Sequence, residues 1–281
     1  MRRPPDPFIM LNWLTEVLED LHRLGFEWTG KRVMEVGTGW RAQMPLFFYL
    51  LGAGRVDTFD LHRYLKEELT LGSLQMLLPR EAEAWKLFEP WVEYSGWKAR
   101  WDALPSVATL EDFFRVTGIH YHAPVDAAHT DLPDHSIDLH FSYTVFEHIP
   151  GPVLVSILRE ASRVVKTDGI ICHHIDPSDH FSHFDSSISQ INFLQYTEAE
   201  WSRYNDNQFA YHNRLRIGDY EQIYRDADQD VMLLTPRVDA RSLQLIKDGF
   251  PLAEPYRAET PERIATTVVR ICSRARTTSP V

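Results

Sequence analysis

The chain has 281 residues, of which 44% are hydrophobic and 25% charged. This composition excludes a largely disordered chain, a collagen-like fibre and a heptad coiled coil. Its 29 basic and 40 acidic residues give a net charge of −11, which argues against nucleic acid as the main partner. Cys172 and Cys272 form no CxxC pair, so we expect neither a disulfide framework nor a zinc ribbon. We expect the protein to be located in a reducing cytoplasm.

No segment predicts a membrane span or a secretory signal. The longest apolar run, residues 45–53, falls well short of the ~20 residues that a spanning helix needs. The N-terminal sequence MRRPPDPFIM has two arginines, but prolines and an aspartate follow them instead of an apolar segment. We therefore expect a protein that acts without a membrane.

The N-terminal part predicts a helix followed by a strand–turn–helix–strand unit. Apolar residues recur at helical spacing over residues 7–24. Residues 32–36 and 55–60 have the apolar character of parallel strands that are covered on both faces. Between them, residues 37–39 predict a tight turn and residues 42–51 a helix.

The middle of the chain predicts helices and then a return to strands. Residues 61–117 combine tryptophans and charges at helical spacing, so we interpret them as a helical insertion. Residues 137–143 and 169–175 predict strands, and residues 152–165 the helix between them. We expect residues 166–169 (KTDG) to form the glycine cap of that helix.

The C-terminal part predicts a cap and two late strands. Residues 176–220 are aromatic, polar and weakly periodic, which is typical of a lid. Strands are predicted at residues 231–238 and 266–273, with a helix at 241–247 between them. Alternating strands and helices indicate a doubly wound α/β fold. We divide the chain as a single α/β domain (1–281) with an N-terminal helical segment (1–30), a helical insertion (61–117) and a lid or cap insertion (176–220).

The turn after the first strand carries the first chemical signal. Gly37 and Gly39 suit a turn that needs unusual backbone angles and close approach of a ligand. Asp60 ends the next strand, where a carboxylate can accept hydrogen bonds from both ribose hydroxyls. A nicotinamide dinucleotide would use Gly37-x-Gly39-x-x-Ala42, whereas S-adenosylmethionine would add Glu35 near its positively charged methionine end.

Later motifs favour the second cofactor. The runs VDAAHTDLPDHSIDL (125–139), FEHIP (146–150) and LREASRVVKTDG (158–169) resemble the class I S-adenosylmethionine-dependent methyltransferases of the type 11 kind, which act on small molecules. With residues 35–39 and Asp60, they follow the order of that family over roughly half of the chain.

The resemblance implies a seven-stranded, mostly parallel Rossmann-like sheet with a reversed C-terminal hairpin, with the helical insertions forming a cap. It implies that Asp126 and Ala127 bind adenine, and that Ser142 and Tyr143 border the methionine moiety. The cofactor-binding residues expected from it are Glu35, Gly37, Thr38, Gly39, Asp60, Leu61, Asp126, Ala127, Ser142 and Tyr143. Arg41 stands where family members often have a third glycine, and it could reach the cofactor carboxylate or point to solvent.

We expect methyl transfer to a small-molecule acceptor at a hydroxyl oxygen, with a histidine removing the proton. The candidate bases are His148, His174 and His180. His174, Asp176, His180 and His183 could bind a divalent metal, but clusters of this kind are more often hydrogen-bond networks, so we assign no metal. Glu147 could be a salt-bridge partner or a substrate ligand, and we favour the salt bridge.

Two alternatives stay open at this point. A nicotinamide-dependent oxidoreductase would use the same glycine turn, and a non-catalytic protein could keep the fold and the cofactor pocket. Exposed aromatic residues in the insertions are consistent with a homodimer.

Overall fold

The computed structural model describes residues 6–205 and 211–276. Residues 1–5 of the expected N-terminal segment and 206–210 of the expected cap lie outside the described residues. The chain forms two compact units. Unit 1 comprises Met1–Phe141 and Arg163–Cys172, and unit 2 comprises Ser142–Ser162 and His173–Val281.

Seven strands form one sheet in the order β3-β2-β1-β4-β5-β7-β6. Strand β1 pairs in parallel with β2, and β2 with β3, whereas β6 and β7 are antiparallel. The expected seven-stranded sheet with a reversed C-terminal hairpin is therefore confirmed. The strands are β1 (Arg32–Val36), β2 (Arg55–Phe59), β3 (Ile119–His122), β4 (Ile137–Tyr143), β5 (Val165–Ile175), β6 (Gln229–Val238) and β7 (Thr266–Ala275).

The described α-helices agree with most of the expected helical segments. Their bounds are α1 (Pro7–Arg23), α2 (Gln43–Leu50), α3 (Glu67–Leu77), α4 (Glu81–Phe88), α5 (Tyr94–Ala103), α6 (Leu110–Thr117), α7 (Gly151–Val164), α8 (Glu198–Asn205), α9 (Ile217–Asp226), α10 (Ala240–Lys247) and α11 (Pro261–Ile264). None of them is long and apolar enough to cross a membrane.

Unit 1 buries the apolar residues that the sequence pattern singled out. Asp6 is the N-cap of helix α1, and its side chain accepts a hydrogen bond from the Phe8 amide. The apolar stripe of the helix is buried. Strands β1 and β2 are buried along nearly their whole length. In α5, Trp97 and Trp101 are buried and stack at 4.9 Å between ring centroids, so these two tryptophans are packing residues.

Two local predictions were wrong or incomplete. Residues 166–169 are not a helix cap, because β5 already begins at Val165. A Cβ atom on Gly169 would lie 2.9 Å from the Asp138 carbonyl oxygen, so this glycine permits close approach of backbone rather than a left-handed turn. The edge strand β3 was not predicted at all.

Unit 2 has its own apolar core around Phe193, Trp201 and Ile264. Beside it, the buried Arg216 guanidinium donates hydrogen bonds to backbone carbonyls, including that of Ile264 at 2.7 Å. Asn213 donates through Nδ2 to the carbonyls of Phe146 (2.7 Å) and Ile149 (2.8 Å). These contacts fix the turn that follows β4, where the candidate site of this unit lies.

Candidate functional site

The turn after β1 in unit 1 has the backbone geometry that glycine provides. Gly37 and Gly39 have φ values of 89° and 65°, which an L side chain rarely adopts. A Cβ atom on Gly39 would meet nothing within 4 Å. Open space therefore adjoins the turn at the point where a ligand would approach the backbone.

Glu35 lies within β1 and is only 2% exposed. The Thr58 hydroxyl donates a hydrogen bond of 2.5 Å to its Oε2, and Thr58 also pairs with the Thr38 hydroxyl. Burial raises the pKa of Glu35 to about 8, the Thr58 hydrogen bond opposes this shift, and the Asp60 charge adds to it. Without a cation beside it, Glu35 is therefore mainly protonated at neutral pH.

Asp60 follows β2 and points its carboxylate at the glycine turn. Gly39 N donates to its two oxygens at 3.1 and 3.3 Å, and the Tyr121 hydroxyl donates at 3.2 Å. Burial raises the pKa of Asp60 to about 6, against the effect of these donors. At neutral pH the group is a buried carboxylate that can accept further hydrogen bonds.

The segment with Asp126 is tied to Asp60 through the backbone. Val125 N donates to the Asp60 carbonyl at 2.9 Å. The Asp126 carboxylate accepts from Ala128 N at 2.9 Å, and its side chain is 52% exposed. Ala127 is buried beside it, and Leu61 is 61% exposed. Asp126 thus caps a turn, and its carboxylate is still accessible.

Arg41 follows the glycine turn by two residues. Its Nη1 is buried and has no hydrogen-bond partner within the described part of the chain, and burial lowers the pKa of its guanidinium. Buried cationic groups are normally paired. An anionic group on a ligand would satisfy this nitrogen.

In unit 2, the end of β4 carries the next set of expected site residues. Ser142 is fully buried, and Tyr143 stacks on His174 at 4.5 Å between ring centroids. Thr144 has a φ of 51° and donates its N–H to the His174 carbonyl at 2.8 Å. A β-branched residue in this region is strained, and such strain is common at functional sites.

Glu147 is the most unusual group of this unit. It is fully buried, and neither Oε1 nor Oε2 has a hydrogen-bond partner among the described residues. Burial raises its pKa well above the ordinary value, and the Asp176 charge adds to this. The salt bridge expected for Glu147 is therefore wrong.

His148 is exposed and held in one orientation. Its Nδ1 lies 2.9 Å from the Tyr211 carbonyl oxygen. A carbonyl only accepts, so Nδ1 carries the hydrogen and Nε2 keeps a lone pair. The ring of His180 lies 5.0 Å away and that of His212 5.7 Å away, between centroids.

His180 connects His148 to the acidic side of the cluster. Its Nε2 lies 3.6 Å from Asp176 Oδ2, and His183 Nε2 lies 3.7 Å from the same oxygen. Burial lowers the pKa of His180 to about 4, although the Asp176 charge opposes this. Burial likewise lowers the pKa of His174 to about 4. Both rings are neutral at physiological pH.

The ligand-forming set differs from the one considered from sequence. Ligand atoms of Glu147, His148 and His180 all lie within 4.8 Å of one another. Of the four residues considered from sequence, this set contains only His180, and His174 instead stacks on Tyr143. His173 on the opposite face contacts the Tyr224 hydroxyl at 2.5 Å. Sequence reasoning missed Tyr211, His212 and Asn213, because no local pattern links them to the turn after β4.

Comparisons with known proteins bear on the fold and on the class of enzyme. Residues 108–173 match the family model described as a methyltransferase domain. No curated protein sequence matches the chain significantly.

Solved structures share the fold at low sequence identity. The geranyl diphosphate C-methyltransferase of Streptomyces coelicolor A3(2), in complex with Mg²⁺, geranyl diphosphate and S-adenosyl-L-homocysteine, is 12% identical, with a TM-score of 0.50 over 94% of this chain and 78% of that one. An S-adenosylmethionine-dependent methyltransferase from Mesorhizobium loti is 14% identical, with a TM-score of 0.49 over 91% and 96%. Residues 108–173 thus match a methyltransferase domain, and the order of the seven-stranded sheet is the one implied by the resemblance to the class I S-adenosylmethionine-dependent methyltransferases.

Proposed function

We propose that this methyltransferase transfers the methyl group of S-adenosylmethionine to a hydroxyl oxygen of a small molecule, with His148 as the general base. The observation that carries this proposal is the exposure and orientation of the His148 ring. His148 is exposed, its Nδ1 hydrogen is held by the Tyr211 carbonyl, and its Nε2 lone pair is available to a proton donor.

The residues of unit 1 fit the adenosyl end of the cofactor. The Asp60 carboxylate would accept the ribose hydroxyls, because it is buried, mainly ionised at neutral pH and next to the open space at Gly39. Asp126 would accept from the adenine amino group, and Ala127 would contact the ring. Thr38 and Leu61 would border the same ligand.

The methionine end has two charged counterparts in this unit. Arg41 would pair with the cofactor carboxylate through its unpartnered Nη1. The cationic end of the cofactor would favour ionised Glu35, whose pKa of about 8 lies close to neutrality. In unit 2, Ser142 and Tyr143 are proposed to border the methionine moiety.

The cofactor supplies a methyl group that is already activated by a sulfonium. His148 Nε2 removes the proton of the acceptor hydroxyl as the oxygen–carbon bond forms and the carbon–sulfur bond breaks, which leaves S-adenosylhomocysteine. Holding the reacting atoms about 3–3.5 Å apart supplies much of the acceleration in such a displacement. His174 and His180 are secondary candidates for the base, because burial lowers the pKa of each to about 4 and makes them weak bases.

The cellular setting is part of the proposal. Cys172 and Cys272 are both buried and form no disulfide with each other, which suits a reducing compartment such as the cytoplasm. Phe181 and Phe184 are 53% and 87% exposed, which suits a homodimer. Neither nucleic acid nor a membrane is proposed as a partner.

The test combines cofactor binding with product analysis. S-adenosylhomocysteine should bind in calorimetry while NAD and NADP do not, which separates this proposal from the oxidoreductase alternative. The enzyme is then incubated with deuterated-methyl S-adenosylmethionine and a panel of small alcohols, phenols, amines and carbon nucleophiles. Mass spectrometry and NMR of the product should locate the label on oxygen; a label on nitrogen or carbon would refute the hydroxyl assignment, and no labelled product would favour the non-catalytic alternative.

The base is tested on the same reaction. His148→Gln should lower kcat by roughly 10²–10⁴-fold and leave the dissociation constant of S-adenosylhomocysteine unchanged. His22→Gln, at an exposed histidine of α1, is the matched control and should keep full activity. An unchanged kcat in His148→Gln would show that the base is another group.

A further inference from the structure

Three side chains in unit 2 present metal-binding atoms to one small volume. They are Glu147, His148 and His180, called the EHH cluster below, and their ligand atoms all lie within 4.8 Å of one another. One carboxylate with two imidazoles is a ligand set that first-row divalent metals favour. All three residues belong to unit 2, so the geometry of the cluster does not depend on unit 1.

Glu147 gives an independent reason for a ligand at this place. Its carboxyl group is fully buried, and both oxygens are without a hydrogen-bond partner among the described residues. A buried polar group without a partner costs free energy. A bound cation would remove that cost, since it would pair with the ionised carboxylate directly.

His148 has the outer contact that orients a ligating histidine. Its Nδ1 donates to the Tyr211 carbonyl at 2.9 Å, which leaves Nε2 as the ligand atom. Metal-bound histidines usually make such a contact through the second nitrogen. The Asn213 side chain fixes the same turn through the carbonyls of Phe146 and Ile149.

His180 completes the set from the segment after β5. Its Nε2 has no hydrogen-bond partner among the described residues, and it lies 3.6 Å from Asp176 Oδ2. Asp176 also lies 3.7 Å from His183 Nε2, so it adds negative charge on that side of the cluster. The rings of His212 and His183 pack against His180 at 4.5 and 5.0 Å between centroids.

We propose that the EHH cluster binds one divalent first-row metal ion, best matched by Zn²⁺, through a Glu147 oxygen, His148 Nε2 and His180 Nε2. Bonds of about 2.0–2.2 Å in a tetrahedral site place ligand atoms about 3.3 Å apart. The longest separation in the cluster must therefore shorten by up to about 1.5 Å, which the exposed His148 ring permits. Two imidazoles disfavour Mg²⁺, which prefers oxygen ligands.

Three protein ligands leave a coordination position for water or for an oxygen atom of a small molecule. His148 Nε2 can act as the proposed base only in the metal-free protein. In the loaded protein the cation would occupy that lone pair, and the cation, instead of the histidine, would activate the acceptor by polarising its oxygen. This last consequence rests on the proposed function, whereas metal binding does not. The acceptor class it favours is a small molecule whose reacting hydroxyl can bind a metal.

Metal binding is measured without cofactor or acceptor. Metal-free full-length protein is titrated with ZnCl₂ in a calorimeter, and with CoCl₂ while the visible absorption of tetrahedral Co²⁺ is followed. Wild type should bind one equivalent of Zn²⁺. Glu147→Gln, which keeps the shape of the side chain, and His148→Ala, at an exposed position, should each weaken binding at least tenfold.

His183→Ala is the matched control, because His183 lies beside His180 but outside the EHH cluster. It should change the Zn²⁺ dissociation constant less than threefold. The proposal is overturned if wild type binds less than one equivalent at 100-fold excess of metal, or if His183→Ala weakens binding while Glu147→Gln does not. Binding of S-adenosylhomocysteine to the same preparations reports separately on the proposed function.

Discussion

The Asp60 carboxylate offers the sharpest test of the cofactor site. In Asp60→Asn, the side chain keeps its shape and one acceptor oxygen but loses its charge. A hydrogen bond to a charged group contributes about 1.5–3 kcal/mol, so losing one from a ribose hydroxyl should weaken S-adenosylhomocysteine binding roughly 10–150-fold. Isothermal titration calorimetry at pH 7.5 measures this change directly.

Asp60 also accepts hydrogen bonds from Gly39 N and the Tyr121 hydroxyl, so its loss could act through the protein instead of the ligand. Tyr121→Phe removes the second donor and leaves the carboxylate in place. We expect its dissociation constant to stay within about threefold of wild type. If Asp60→Asn also stays within threefold, the ribose assignment is wrong; if both variants weaken binding equally, the effect comes from the turn.

The pH dependence gives a second, independent readout of the same group. Because burial raises the pKa of Asp60 to about 6 in the free protein, lowering the pH through 6 protonates the acceptor and removes its charge. If the ligand binds only the ionised form, the dissociation constant should rise about tenfold between pH 7.5 and pH 5. Asp60→Asn should lack this rise, since the ionisable groups of the ligand and of the other residues are common to both proteins.

Three further substitutions test other parts of the structure. Arg41→Ala should weaken S-adenosylhomocysteine binding at least tenfold but leave 5′-methylthioadenosine, which lacks the carboxylate, unaffected in calorimetry; equal losses for both ligands would contradict the pairing. Asn213→Ala should lower the free energy of unfolding in urea by about 2–3 kcal/mol and lower kcat without changing cofactor affinity, and a variant with normal stability and kcat would contradict its positioning role. Gly169→Ala should destabilise by about 1–3 kcal/mol, because its Cβ would lie 2.9 Å from the Asp138 carbonyl oxygen. The control Gly96→Ala, in open space within α5, should stabilise by about 0.5–1 kcal/mol; shifts of the same sign would refute the steric argument.

Much of unit 1 could be predicted because its signals are local. The apolar runs of β1 and β2 flank a turn in which Gly37 and Gly39 take positive φ values. The pattern of a short buried strand, two glycines and a following helix spans only about twenty residues, so it predicts the strand–turn–helix unit by itself. Asp60 then falls at the turn simply because parallel strands end at the same edge of the sheet.

Strand β3 escaped prediction for a physical reason. Its sequence, IHYH, has one apolar and three polar or aromatic residues, and only Ile119 is buried. It is an edge strand of the sheet, so only one of its two sides pairs with another strand. Pairing with β2 determines this strand, and that information is absent from its own four residues.

The chemistry of unit 2 depends on contacts that cross more than sixty residues of sequence. The motif FEHIP predicts that residues 147 and 148 lie at a functional site. It does not predict that Glu147 is buried while its neighbour His148 is exposed. That difference arises where Asn213 N donates to the Glu147 carbonyl at 2.9 Å and the Tyr211 carbonyl faces His148 Nδ1. A strand-like alternation would give the same two orientations, but residues 146–148 form a short 3-10 turn, and only the packed segment around 211–213 determines which side chain is covered. The roles proposed for Glu147 and His148 therefore depend on tertiary packing. Substitutions at Asn213 should disturb both residues and leave the proposed adenosyl end of the cofactor site in unit 1 intact.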